Sequence, residues 1–284
     1  STLSLEDLGM SPNILRRFEQ VLSLSHGIIL VTGPTGSGKS TTLYAALNRI
    51  NTPEKNIVTL EDPVESQISG VNQGHTNPVA GFTFASGLRA ILRQDPDIIM
   101  VGETRDVETA EIAIQAALTG HLVFTTIHTN DAVAAITRLV DMGIEPFLVS
   151  SSVSAIVAQR LVRKVCPQCA QKGEPVELTV PDTGEVRRLE SVPVPVGCEK
   201  CGNLGYKGRI GLFELVVAND EIRRLIVRKA NEQELRAVAR KYGYRTMFED
   251  GIDKVEAGVT TVEEVMRVTR TTIEEEIVAT GQTA

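Results

Sequence analysis

Gly33, Pro34, Thr35, Gly36, Ser37, Gly38, Lys39 and Ser40 spell G-x-x-x-x-G-K-[ST], directly after the apolar run Gly27–Thr32 and directly before Thr41. This is a strand, loop and helix in the order that holds a polyphosphate. The glycines let backbone N–H groups wrap the phosphates, Lys39 sets a point charge beside the β/γ oxygens, and the Ser40 hydroxyl suits Mg2+. The helix that begins near Lys39 adds its positive dipole end to the same place. The motif in this context implies a nucleoside triphosphate binder.

Three further segments put acids, histidines and arginines where strands run out. In Val58-Thr-Leu-Glu61-Asp62-Pro-Val-Glu65, a strand ends in carboxylates. Hydrolysis needs a group that orients and deprotonates water beside the γ-phosphate, and Glu61, the first polar residue after the strand, suits that task. Glu65 reads equally as a solvated loop residue. In Asp97-Ile-Ile-Met-Val-Gly102-Glu103-Thr-Arg105, an apolar strand again ends in an acid. Gly102 stands where such motifs usually carry aspartate, and the acid falls one residue later. Contact of Glu103 with Mg2+ through water is therefore expected rather than direct ligation. In His121-Leu-Val-Phe-Thr-Thr-Ile-His128-Thr-Asn130, His128 follows a strand in the same way and is placed to sense or donate to the γ-phosphate, while His121 sits at the other end. Arg89, Arg93 and Arg105 are candidates for a transition-state finger, within the chain or across an interface; each reads equally as a surface ion-pair partner.

All four cysteines fall into two C-x-x-C pairs, Cys166/Cys169 and Cys198/Cys201. Two such knuckles facing one another offer four thiolates for Zn2+, and a closed four-thiolate site is structural because no coordination position remains open. The 28 residues between the pairs exceed the common spacing, so a loop or hairpin excursion is expected between them. A redox role is the rival reading, but that motif normally occurs once, at a helix start.

The elements that must position these groups alternate. Candidate strands are Gly27–Thr32, Asn56–Leu60, Asp97–Val101 and His121–Ile127, and candidate helices are Lys39–Arg49, Phe82–Arg93, Asp106–Thr119 and Asp131–Met142. Ser11 caps an earlier amphipathic helix that opens with Pro12. Near-continuous apolar strands between helices predict an α/β fold with a mostly parallel sheet covered on both faces, and such sheets bind ligands beyond the carboxyl ends of their strands. A helical stretch is expected over Glu145–Leu161, turns and short strands up to Cys198, a strand over Arg209–Val217, and helices from Asn219 onward with N-caps at Asn219 and Asn231 and a last helix near Val262–Thr269. The expected division is a nucleotide-binding core over residues 1–164, a tetracysteine zinc subdomain over 165–217 and a helical subdomain over 218–284.

The 284 residues carry 29 basic and 36 acidic side chains, a net charge of −7, no tryptophan and 4% aromatics. Neither bulk attraction for nucleic acid or anionic lipid nor base stacking is favoured by this composition. No apolar run reaches the length of a membrane span, and the first residues lack the pattern of a signal peptide. A cytoplasmic chain that touches membranes only through partners is expected.

Taken together, Gly33–Thr41, Glu61–Glu65, Leu88–Asp97, Gly102–Asp106, His121–Asn130 and the four cysteines closely resemble the secretion ATPase superfamily, nearest to its type II secretion and type IV pilus assembly branch. The resemblance spans nearly the whole chain. It implies a RecA-like P-loop core, Lys39 and Ser40 on the phosphates and Mg2+ of ATP, Glu61 as catalytic base, Glu103 on magnesium-bound water and His128 near the γ-phosphate. It also implies a homo-hexameric ring at the cytoplasmic face of the inner membrane, working on a membrane platform protein and other pilus or secretion components. Pilus retraction relatives lack the tetracysteine element, so its presence points to assembly or secretion. Relatives carry an N-terminal domain whose arginines reach the nucleotide, and this sequence starts about 30 residues before the phosphate loop. Weak hydrolysis by this chain alone is therefore expected. A RecA-type nucleic-acid translocase is the alternative, because the core does not name its cargo.

Overall fold

A computed structural model describes residues 3–269. The first part of the chain alternates as the sequence predicts: α1 (Pro12–Leu22), β1 (Gly27–Thr32), α2 (Lys39–Ile50), β2 (Ile57–Glu61), β3 (Asn72–His75), α3 (Phe84–Leu92), β4 (Ile98–Val101), α4 (Val107–Leu118), β5 (Leu122–Ile127), α5 (Ala132–Asp141) and α6 (Pro146–Ser152). It continues through β6 (Val153–Val165), β7 (Gln171–Lys172), β8 (Val176–Thr179), β9 (Val186–Leu189), β10 (Pro193–Val194), β11 (Tyr206–Val217), α7 (Asp220–Val227), α8 (Glu232–Lys241) and α9 (Met247–Glu256). A further helical stretch covers 262–269.

The described residues fall into two compact units: residues up to Ala158 with Leu215–Tyr244, and Gln159–Glu214 with the chain from Arg245 onward. These units cut the chain elsewhere than the boundaries at 164/165 and 217/218 expected from composition. The reason is that β6 and β11 are long strands, of 13 and 12 residues, and each contributes to both units.

The main sheet has seven strands in the order β11-β6-β1-β5-β4-β2-β3. β1 pairs in parallel with β5 and β6, β4 with β5 and β2, and β2 with β3. Every residue of β1, β2, β4 and β5 is buried, which explains why these strands read as continuous apolar runs rather than alternating ones. Their ends fall within one residue of the expected limits. α1, α3, α4 and α5 are each closed by a side chain on their first free amides, from Ser11, Thr83, Asp106 and Asp131.

Two features depart from the sequence reading. The helix expected over Glu145–Leu161 stops at Ser152, and residues 153–165 are strand. Residues 153–160 are buried throughout, so an apolar run with no period carries no sign of which element it forms, and the β-branched Val153, Ile156 and Val157 favour extended backbone. The edge strand β3 has the sequence Asn-Gln-Gly-His and no apolar pattern to announce it.

In the second unit β7 pairs with β10 and β8 with β9, both antiparallel, as the Pro- and Gly-punctuated composition predicts. Here Glu264 is the pinned charge. Its carboxylate accepts from the backbone N–H of Arg163 at 2.7 Å and from the guanidinium groups of Arg163 and Arg267 at 3.0 and 2.8 Å. Burial pushes this carboxyl up, but the Arg267 and Arg163 donors outweigh it and hold it down at about 2. A carboxyl depressed on folding contributes stability that is present above its unfolded value and lost as pH falls through the folded one. Urea unfolding should therefore show stability declining as pH drops from about 5 toward 2, and Glu264→Gln should lower stability at pH 7 and flatten that decline.

Candidate nucleotide site and cysteine cluster

The phosphate loop joins β1 to α2 with Gly36 and Gly38 at φ 82° and 89°, left-handed conformations that side chains disfavour. Gly38 is also the N-cap of α2, and unlike the caps of α1, α3, α4 and α5 it supplies no side chain to the helix's first amides. Those donors, and the dipole behind them, belong to whatever anion sits there.

Side by side with β1, the carboxyl ends of β5 and β4 bring in His128 and Glu103. Lys39 Nζ donates to the Gly33 carbonyl at 2.5 Å and lies 2.9 Å from His128 Nδ1. The same Nδ1 lies 3.2 Å from the Gly33 carbonyl, and Nε2 lies 2.7 Å from Glu103 Oε1, so the imidazole bridges the phosphate loop and the acid. The other oxygen of Glu103 pairs with Arg105 at 2.6 Å, and Arg105 also lies over the Phe84 ring. Burial pushes Glu103 up, but the hydrogen bonds and charges of Arg105 and His128 prevail and keep it below the usual carboxylate range.

Gly102 has a steric reason. An added Cβ there would lie 3.3 Å from the Leu60 carbonyl oxygen and 3.4 Å from the Glu61 Cα, so a side chain at 102 would be crowded against β2, and the acid comes at residue 103.

Glu61 ends β2, next in the sheet after β4, and is 5% exposed. It accepts from the hydroxyl of Tyr44 on α2, from Thr59 at 2.6 Å and from the Gln73 amide on β3 at 3.1 Å. Glu65 is exposed beyond it and donates its backbone N–H to Tyr44. Tyr44, Thr59 and Gln73 escaped the sequence reading because no spacing signal ties them to Glu61.

The other arginines lie apart within this chain. Arg89 pairs with Glu108 at 2.8 Å, with both side chains more than half exposed. Arg93 is the exposed C-cap of α3, at the end that leads back to the amino edge of β4. His121 lies at the opposite end of β5 from His128, its Nδ1 2.9 Å from the Ala116 carbonyl.

In the second unit the four cysteine sulfurs all lie within 4.8 Å of one another. Cys166–Cys198, Cys169–Cys201 and Cys198–Cys201 are 3.8, 3.9 and 3.8 Å apart. Tetrahedral Zn2+ with bonds of about 2.3 Å requires sulfur–sulfur edges of about 3.8 Å, and a disulfide about 2 Å, so the spacing fits a tetrathiolate metal site. Backbone N–H groups of Gly197, Cys198 and Gly205 point at the sulfurs of Cys169, Cys201 and Cys201 at 3.2–3.3 Å. Burial pushes the Cys201 thiol up, but the Cys198 and Gly205 amides and the neighbouring thiols bring it down to about 6; the Gly197 amide lowers Cys169, but burial and the neighbouring thiols raise it to about 11, so with no metal the low value of one thiol comes at the expense of another.

A parallel α/β sheet that closes a glycine-rich loop on an uncapped helix, with acids on the neighbouring strand ends, defines the class of nucleotide-binding α/β proteins. The model of the type II/IV secretion system protein family matches residues 1–267, and the chain belongs to that family. It is 52% identical over 271 residues to the type IV pilus assembly ATPase PilB of Thermus thermophilus, covering 92% of this chain and 30% of that protein. It is 54% identical to the type II secretion system protein HxcR of Pseudomonas aeruginosa, over 94% of this chain and 54% of that one. With the type II secretion system ATPase E of Vibrio cholerae the figures are 52%, 94% and 53%. The chain thus spans about half or less of the length of these relatives. Among solved structures, the pilus retraction motor PilT with bound ADP superposes with a TM-score of 0.70 at 32% identity, covering 94% of this chain and 67% of that chain. The ATPase DotB of Legionella pneumophila gives 0.67 at 25% identity, with 95% and 66% covered.

Metal analysis should find one zinc per chain. Chelation should raise amide hydrogen exchange across Cys166–Gly205 while leaving ATP affinity unchanged within about twofold, because a closed structural site holds its own segment together.

Proposed function

We propose that this chain is the ATP-hydrolysing core of a motor that powers type IV pilus assembly or type II protein secretion. In this reading it works as a hexameric ring at the cytoplasmic side of the inner membrane, against a platform protein in that membrane. The observation that carries the proposal is the unbroken line of contacts from Gly33 and Lys39 through His128 to Glu103 and Arg105, on three adjacent strand ends. The relatives' names, given to a pilus assembly ATPase and a type II secretion ATPase, supply the cargo class. Among the described residues no helix is long and apolar enough to cross a membrane, so partners make the membrane contact in this proposal.

Each side chain then has a task. The amides of the phosphate loop and Lys39 bind the β- and γ-phosphates, and Ser40 and Glu103 hold Mg2+, Glu103 through water. Bound Mg2+ neutralises charge on the phosphates and orients them. His128 reads the γ-phosphate because it already rests on Lys39. Glu61 takes the proton of the attacking water. Arg105 stands beside Glu103 as the arginine of the same chain, whereas Arg89 and Arg93, on the exposed side of α3, would act across a subunit interface. The cysteines hold Zn2+ to shape their segment.

The test is Mg-ATP hydrolysis per mole of chain across a wide range of protein concentration, with Glu61→Gln beside the parent. Specific activity should rise with concentration as sites are completed between subunits. The Glu61→Gln rate should fall at least about a hundredfold with ATP binding retained, the scale of a lost general base. A substantial rate that does not vary with concentration would overturn the ring, and an active Glu61→Gln would overturn the assignment of the base.

A further inference from the structure

A general base needs one acceptor position that is open and aimed. A carboxylate offers about four, two on each oxygen. Among the described residues three of the four on Glu61 are taken: Oε2 accepts from Thr59 at 2.6 Å and Gln73 at 3.1 Å, and Oε1 accepts from Tyr44. One lone pair remains, on the oxygen that Tyr44 holds.

We infer that Tyr44 is a positioning residue for ATP hydrolysis, which, with Gln73 on the opposite oxygen, fixes the single lone pair of Glu61 that receives the proton of water. The inference rests on the reading of Glu61 as the base. Tyr44 lies on α2, the helix that starts at Lys39, and follows Lys39 by about one and a half turns. One rigid element thus sets the phosphate loop at its start and the base further along.

The direction of the Tyr44 hydroxyl is itself determined. The backbone N–H of Glu65 donates to its oxygen at 3.2 Å, so the phenolic proton is left for Glu61. Tyr44 is buried, with 6% of its surface exposed. Burial, together with the hydrogen bond to Glu61, pushes the phenol up to about 12, so it stays a donor wherever the protein is folded and active. Gln73 is oriented in the same way. Its Oε1 accepts from the Ile68 N–H at 2.8 Å, which turns Nε2 toward Glu61 and the Ser66 carbonyl. The loop between β2 and β3 is therefore stitched to the carboxylate from both sides. The Asp62–Pro63 peptide in that loop is cis.

The test compares Tyr44→Phe, Gln73→Met and Glu61→Gln with the parent, using steady-state hydrolysis from pH 5 to 9 at the protein concentration of highest turnover. Nucleotide binding and thermal unfolding are followed alongside. Tyr44→Phe keeps the ring and removes the hydroxyl, with its bond to Glu61 and the one it accepts from the Glu65 N–H. Its kcat should fall on the order of tenfold to a hundredfold, the cost of a reacting group out of line, with KM for ATP within about twofold. Gln73→Met, on the half-buried edge strand, should give a smaller loss of kcat, again with KM for ATP within about twofold. An active Glu61→Gln would overturn the underlying reading of the base. An inactive Glu61→Gln, beside folded Tyr44→Phe and Gln73→Met with parental kcat and KM, would overturn this inference alone.

Discussion

A parallel sheet covered on both faces admits polar side chains only where its strands run out, and the arrangement of this site follows from that constraint. β1, β2, β4 and β5 are buried over their whole length, so any polar group on them must find a partner inside the protein. The threonines at or near the strand ends meet that demand locally. Thr32 pairs with Thr129 at 2.7 Å, Thr59 donates to Glu61, Thr125 pairs with Thr104 at 2.8 Å, and Thr126 donates to the Gly102 carbonyl at 2.7 Å. The Thr59 bond lies within β2, and each of the others ties a strand end to the loop that follows a neighbouring strand. Lys39, His128, Glu103 and Glu61 therefore start from backbone that is already fixed, and only their side chains have freedom.

The same constraint decides what could be read from the sequence. Strands that are buried on both faces announce themselves as short apolar runs, and the first polar residue after each one is the functional candidate; Glu61, Glu103 and His128 were legible for that reason. β6 broke the rule because thirteen residues of apolar and mixed character exceed the usual length of a strand, and a run without period looks like a buried helix. β3 was invisible because an edge strand of Asn, Gln, Gly and His earns its place by what its side chains hold rather than by burial. The cysteine cluster needed no such inference, since the pairs themselves carry the spacing of a tetrathiolate site.

Partners were harder to read than actors. Neither Tyr44, among the buried residues of α2, nor Gln73, on β3, carries a mark in the sequence that sets it apart. Their relation to Glu61 depends on the strand order β4-β2-β3 and on how α2 crosses the sheet, which no local pattern encodes. Gly102 is the opposite case, because the sequence displayed it as a departure from the usual motif. The close packing against Leu60 and Glu61 gives that departure a steric reason.

The contacts around His128 differ enough in strength to say which of them gives way when charge arrives at Lys39. On one side is a half-exposed imidazole, with 48% of its side chain accessible, joined to Lys39 and Glu103 by hydrogen bonds to charged groups worth about 1.5–3 kcal/mol each before solvent screening reduces them. On the other side its neighbour Thr129 is anchored to Thr32, whose hydroxyl accepts the Thr129 N–H at 2.9 Å, and to the Asp131 carbonyl. Asp131 caps α5 through the Ala134 N–H and pairs with Arg236 of α8 at 2.8 Å, with side chains 7% and 16% exposed. Removing one partner from such a buried pair costs about 3–5 kcal/mol. An anion competing for Lys39 thus displaces the imidazole long before it disturbs the backbone that carries it. Under the proposed function, His128 is free to exchange Lys39 for a phosphate oxygen while the loop behind it, α5 and α8 stay in place, which confines the response to nucleotide to a side chain that lies directly on Glu103.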